Sequence, residues 1–197
     1  MNVEAGDPHC TVHDRSGLKL KGRVTDAAIN AAELEACATT TMKYYGKRPT
    51  SKTAPFNSRW MFKLHGEMFG KVWTWAGQAR TSDSNIGIAW RQINVQVEML
   101  AQDVAVWPKE SLESAVRLHL RAVQIHPFTD GNGRWARLLS NIWLLQNKLH
   151  EVRWPDPLLR DTSSPIRKEY IDAIKSADNG DSNALVALHK RFQCVRG

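Results

Sequence analysis

From Thr25 onward the apolar residues recur at helical spacing in one segment after another, and two-residue alternation is confined to a single short stretch, residues 80–93. A chain patterned this way has no sheet on which to build a core, so its fold class is all-α with a minor β element. A first helix is expected over 27–38, where strong helix formers follow Asp26 as an N-cap. Gly46, Pro49 and Pro55 then break the chain. Phe56, Trp60, Met61, Leu64, Met68 and Phe69 line one face of a second helix, and Gly70 follows as a natural C-cap. The polar turn residues and β-prone run of 80–93 predict a small hairpin or extended flap. Further helices are predicted over about 94–107, 111–125, 133–147, 163–177 and 182–193, with Trp154-Pro155-Asp156-Pro157 read as a loop. The 111–125 segment is apolar on more than one face, which places it centrally.

Composition narrows the function classes. Hydrophobic residues at 42% and charged residues at 24% exclude a mostly disordered chain. No window approaches the ~18 uninterrupted apolar residues that a membrane-spanning helix needs, so no membrane role is expected. The start Met1-Asn2-Val3-Glu4-Ala5-Gly6-Asp7 lacks a basic end and an apolar core, so it is not read as a secretory signal and a cytoplasmic location is expected. Cys10, Cys37 and Cys194 are odd in number and far apart, which predicts reduced thiols rather than disulfides or a zinc site. The excess of 27 basic over 20 acidic residues, +7, favours anionic partners without choosing among them. Eight tryptophans predict a core of large flat side chains. Residues 1–24, with Gly6, Pro8, Gly17 and Gly22, read as an irregular N-terminal arm.

Between the two best helices lies His126-Pro127-Phe128-Thr129-Asp130-Gly131-Asn132-Gly133-Arg134-Trp135-Ala136-Arg137. Pro127 stops the preceding helix, since the residue before a proline is pushed out of the helical region. Gly131 and Gly133 permit unusual backbone angles and close approach. The next helix starts near Asn132, so its open N–H groups and positive dipole end face this loop and make an anion cradle. Arg134 and Arg137, at i and i+3, share a helix face and suit the oxygens of a polyphosphate. Asp130 on the same loop is the kind of single carboxylate that helps hold Mg²⁺ beside phosphates. His126 is the group best able to accept a proton near neutral pH. The other histidines (His9, His13, His65, His119, His150, His189) lack metal-ligand spacing and read as structural or surface residues.

This segment resembles the signature of the Fic family, H-x-F-x-D/E-G-N-G-R-x-x-R, at every fixed position. The resemblance extends upstream through residues 61–77, Arg80-Thr81 and Asn85-Ile86-Gly87, and covers about 56–150. The tail, with Tyr170-Ile171-Asp172-Ala173 and Gly180-Asp181, is similar to compact bacterial members described as mobile mystery protein B. It implies a Fic fold over 25–197: a helical bundle around a central motif helix pair, with a short β-hairpin flap, a core at about 56–150 and C-terminal helices at about 163–193. The implied activity is transfer of AMP from ATP to a Ser, Thr or Tyr hydroxyl of a target protein. In that scheme His126 is the base, Asp130 holds Mg²⁺, and Gly131, Asn132 and Gly133 line the anion hole. Arg134 and Arg137 clamp the outer phosphates, Phe128 anchors the loop in the core, and flap residues Asn85, Ile86, Gly87 and Ile88 register the target as an added edge strand.

Many family members carry an inhibitory helix, S/T-x-x-x-E-G/N, whose glutamate pairs with the second motif arginine. The nearest match here, Thr25-Asp26-Ala27-Ala28-Ile29-Asn30, has Ile29 at the glutamate position. If that helix covers the site, Ile29 is expected to face the arginines and leave Arg137 free, with Glu33, one turn on, as the alternative. Otherwise a separate antitoxin supplies inhibition, or none exists. Within the family, a lysine at Gly131 or Gly133 would favour transfer of a different phosphate-containing group, and removal of AMP by water remains compatible with the motif. A non-catalytic nucleic-acid-binding module is the reading from a different class. Scattered Lys and Arg without a recognition-helix or stacking motif argue against it.

Overall fold

Eight α-helices carry the regular structure of residues 15–194, the part of the chain that this computed structural model describes. They are α1 (Asp26–Tyr45), α2 (Ser58–Phe69), α3 (Ile93–Val106), α4 (Leu112–Ile125), α5 (Asn132–Gln146), α6 (Asp156–Arg160), α7 (Pro165–Asp178) and α8 (Asn183–Phe192). Local chemistry sets several of their ends. Thr25, rather than Asp26, caps α1, its hydroxyl accepting from the Ala28 N–H at 3.2 Å. Asn57 caps α2 by accepting from the Trp60 N–H at 2.8 Å. Gly70 ends α2 as expected, although in the right-handed helical region.

Helices α4 and α5 pack along each other at the centre. The more enclosed of the two is α5, which buries Trp135, Leu138, Leu139, Ile142, Trp143 and Leu144. Against it lies α2, where the Trp135 indole donates to the Met61 carbonyl at 3.0 Å. Outside α2 lies α1, with Thr40 donating to the Glu67 carbonyl at 2.9 Å. On the far side of α4, helices α7 and α8 close a second apolar cluster of Val116, Ala173, Ile174, Leu185 and Leu188. Trp73, Trp135 and Trp143 are fully enclosed, as the tryptophan content implied. At ~25 cal/mol per Å², each such ring contributes roughly 4–6 kcal/mol of burial free energy.

Three expectations change. First, the β-hairpin flap is absent: among the described residues there is no strand, only isolated bridges pairing Leu18 with Trp73 and Val152 with Gln193. Side chains take the backbone groups of the flap that a ladder would use. The Arg80 guanidinium donates to the Ser82 carbonyl at 2.7 Å and to the Ile88 carbonyl, taking acceptors that a partner strand would use. The Asp83 carboxylate receives the Trp90 N–H at 2.9 Å. A short 3-10 turn over Trp90–Gln92 then feeds directly into α3. Second, the Trp154–Pro157 loop instead opens into α6, with Pro157 in its first turn, where a missing N–H costs nothing. Third, the described part of the arm is irregular but docked: Lys19 N–H donates to the Val72 carbonyl and Thr74 N–H to the Gly17 carbonyl, each at 2.8 Å. Residues 1–14, with Cys10, His9 and His13, lie outside the described residues; Cys37 and Cys194 are free thiols. No helix among the described residues is long and apolar enough to cross a membrane.

Candidate active site

The loop between α4 and α5 bends at two left-handed residues. His126 ends α4 with φ 49° and ψ 60°; Pro127 bars a further right-handed turn but favours extended backbone before it, so the left-handed geometry is imposed by the surroundings. Such a geometry in a non-glycine residue costs of order 1–3 kcal/mol, so the surroundings must hold it. Arg80 does so. Its side-chain Nε–H donates to the His126 carbonyl at 2.8 Å, and its backbone N–H to the Pro127 carbonyl at 2.9 Å. The second bend is Gly131, φ 79°, which caps α5. A Cβ there would sit 2.6 Å from the Phe69 ring, so only glycine fits.

Two buried side chains lock the loop from beneath. Asn132 accepts the Phe128 N–H at 2.9 Å and donates to the Phe128 carbonyl at 2.8 Å. Its amide is thus committed to the loop, and what it offers a ligand is its place at the α5 N-terminus. Phe128 is buried as expected and stacks on His65, with centroids 3.6 Å apart. His65 has more of a role than its spacing suggested. The Gly77 N–H donates to its Nδ1 at 3.0 Å, so the proton sits on Nε2 and is donated to the Asp130 carbonyl at 2.9 Å. Neither Arg80 nor His65 could have been assigned these roles from spacing, because their partners lie 46 and 65 residues away.

A cavity of about 280 Å³ opens over the loop, and His126, Asp130, Gly131, Asn132, Gly133, Arg134 and Arg137 all line it. The sequence-predicted base, metal ligand, cradle and clamps therefore meet in one place. Of the flap residues, Ile86 lines the cavity, Asn85 is exposed, and Ile88 packs toward the main core. Gly87 lies against His126: with φ 98°, any Cβ on it would stand 2.5 Å from that of the histidine.

Both arginines are already engaged. Arg134 meets Glu33 of α1 at 2.6 Å, and the other Glu33 oxygen accepts the Trp73 indole N–H at 2.6 Å. Burial opposes the charge on Arg134, but Glu33 and Asp130 outweigh it and hold the guanidinium above its ordinary value. Arg137 donates through Nε at 3.0 Å and Nη2 at 2.6 Å to Asp156, the first residue of α6. The expectation for α1 is thereby corrected. Ile29 points into the core at 0% exposure, Glu33 one turn later meets the first arginine rather than the second, and Arg137 is not free. Asp130 lies 47% exposed, its carboxylate 2.6 Å from the Gly131 N–H and 3.7 Å from Arg134. A carboxylate resting on these donors is what an anion cradle attracts. No group of three or more ligating side chains occurs among the described residues, so a metal at Asp130 would take most of its ligands from outside the chain. That donor set fits Mg²⁺ when phosphate oxygens and water supply the remainder.

Three buried histidines make the fold acid-sensitive. Burial pushes His65 down to about 3 and His189 down to about 4, and lowers His119 well below 6.5. All three are neutral in the fold, whereas the unfolded chain titrates near 6.5. Below that pH the unfolded state binds more protons, so stability falls as pH falls, by about 1.4 kcal/mol per unit for each histidine. The expected result is a urea midpoint that drops steeply between about pH 6.5 and 5. A flat midpoint over that range would show that these rings are protonated in the native state.

The Fic/DOC family model matches residues 55–144. Protein adenylyltransferase fic-1 of Caenorhabditis briggsae is 30% identical over 119 residues, 56% of this chain and 22% of the relative. Protein adenylyltransferase Fic of Nematostella vectensis is 39% identical over 80 residues, 41% of this chain and 17% of the relative. The chain thus spans about a fifth of the length of these curated relatives. Among solved structures, BepC of Bartonella tribocorum with bound AMPPNP superposes with a TM-score of 0.67 at 16% identity, covering 93% of this chain and 96% of that one. Fic-1 of C. elegans gives 0.67 at 21% identity, covering 90% and 52%. At these identities the likeness is one of fold.

Proposed function

We propose that this chain is a protein adenylyltransferase of the Fic/DOC family, whose model matches residues 55–144, and that it moves AMP from ATP to a Ser, Thr or Tyr hydroxyl of a target protein. One observation carries the reading: His126 closes α4 on the same cavity into which the N-terminus of α5, Arg134 and Arg137 converge. Polyphosphate binds there through the N–H groups of Asn132 and Gly133, and through that of Gly131 once it is released from the Asp130 carboxylate, aided by the helix dipole. Arg134 and Arg137 take the outer phosphates by charge-assisted, forked contacts. His126 removes the proton of the incoming hydroxyl, whose oxygen attacks the α-phosphorus as the bond to pyrophosphate breaks. The cradle donors stabilise the charge that develops as pyrophosphate leaves. Asp130 would hold Mg²⁺, which, when bound, neutralises phosphate charge.

Glu33 and Asp156 occupy the two clamps before nucleotide arrives, so binding exchanges carboxylate oxygens for phosphate oxygens at both arginines. This pairing supports restraint from within the chain, without requiring a separate inhibitory partner. The direct test is incubation with ATP labelled at the α-phosphate and a cell lysate, followed by identification of the modified residue. Labelled protein is expected, and its absence with both chain and lysate would reject the reading. The metal assignment has its own check. EDTA is expected to abolish labelling, and Asp130→Asn to demand more Mg²⁺ for the same rate. Full labelling in EDTA would remove Asp130 from the metal role.

A further inference from the structure

Three polar side chains from three helices meet beneath the wall of the cavity. His119 of α4 and His189 of α8 are both 0% exposed, and Tyr170 of α7 lines the cavity above them. The contacts are His189 Nδ1 to the Leu185 carbonyl at 2.8 Å, His119 Nδ1 to His189 Nε2 at 3.1 Å, and Tyr170 Oη to His119 Nε2 at 2.9 Å. The Trp154 ring packs edgewise against all three, with centroids 4.8–5.8 Å away.

The proton order along this chain has one solution. A carbonyl oxygen only accepts, so His189 must carry its proton on Nδ1 and accept at Nε2. His119 must then donate from Nδ1 and accept at Nε2. The Tyr170 hydroxyl proton is therefore committed inward, and only lone pairs of its oxygen are left for the cavity. Tyr170 cannot donate to a phosphate. The group beside it is Arg137, whose guanidinium carbon lies 5.8 Å from the centre of the Tyr170 ring, a cation–π contact with the ring face.

Arg137 is thus held from two sides of different character. Asp156 is 53% exposed on a five-residue helix, a partner that phosphate can displace. Tyr170 is anchored through two enclosed imidazoles to the backbone of α8. We infer that Tyr170 is a positioning residue for Arg137, fixed by the His119–His189 chain so that the clamp keeps its orientation when nucleotide phosphate replaces Asp156. The inference rests on the nucleotide reading above and adds to it the residues that preorganise one clamp.

Calorimetry with ATP and AMP separates this from mere packing, because AMP lacks the outer phosphates that Arg137 would hold. Tyr170→Phe, which keeps the ring but deletes the hydroxyl that ties it to His119, is expected to weaken ATP binding about tenfold while AMP affinity stays within about twofold. His119→Leu, which breaks the chain, should give the same selective loss. His119→Gln, which keeps one donor and one acceptor, should restore part of it. Unchanged ATP affinity in Tyr170→Phe would overturn the inference, and so would equal weakening of ATP and AMP. If the histidine variants do not fold, the Tyr170→Phe comparison decides alone. A wild-type chain that binds no ATP would reject the adenylyl-transfer reading itself, and this inference with it, which is a different result from a wild type that binds and a variant that binds equally well.

Discussion

His126→Ala is expected to reduce AMP transfer by roughly 10²–10⁴-fold while ATP still binds and the fold survives. The size follows from the proposed role: a base that accepts the proton of the attacking hydroxyl holds no phosphate. Affinity for ATP should therefore change little, and the loss should fall on turnover. The backbone at this position ought to survive too, because the bonds from Arg80 end on the carbonyls of His126 and Pro127, which alanine retains. A small drop in melting temperature is expected, since alanine tolerates the left-handed region less well than histidine. Labelling and calorimetry on the same preparation check both halves. Near-normal labelling would remove His126 from the chemistry, and loss of ATP binding would mean that the loop had collapsed.

The second large effect is a pair of variants that move activity in opposite directions and stability in the same one. Glu33 is 2% exposed and has Arg134 and Trp73 as its partners. Arg134→Ala leaves that carboxylate enclosed without its counter-charge, a change that costs about 3–5 kcal/mol. It also deletes a clamp, so ATP affinity falls. Glu33→Gly likewise breaks the buried pair and lowers the melting temperature, but it leaves Arg134 for phosphate, so labelling per folded molecule should rise. Thermal melts and labelling together read out the pattern. Equal loss of activity in the two variants would show that Glu33 supports the site rather than competing for it. Ile29→Glu is no longer the informative change, since it would place a carboxylate in the core rather than over the arginines.

Periodicity made the long helices legible, because apolar residues recur at helical spacing within a few residues, over one face of α2 and over nearly the whole surface of α5. The loop of residues 126–137 was legible for the same reason: its base, cradle and clamps are adjacent in sequence, and helix geometry alone brings them together. What escaped was decided by partners far away. Arg137 and Asp156 are 19 residues apart, and Arg134 and Glu33 are 101 apart, so no spacing rule links them. The flap read as a hairpin because Ile86, Ile88 and Trp90 alternate, yet Arg80 takes the carbonyl groups that a ladder needs. The Asp156-Pro157 step was a usable sign of α6, since proline is favoured at the start of a helix. The neighbouring Pro155 masked it.

The contact between Gly87 and His126 bears on how such a protein could be redirected to a new target. Because no side chain fits between them, the flap cannot be rewritten freely. A library at Ser84 and Asn85, which are exposed, changes what the incoming protein meets and leaves the base where it is. A single alanine at 87 would disturb the base before any new specificity could be expressed. On the proposed reading, a change of target is therefore sought at the tip of the flap, with Gly87 at its root kept as glycine.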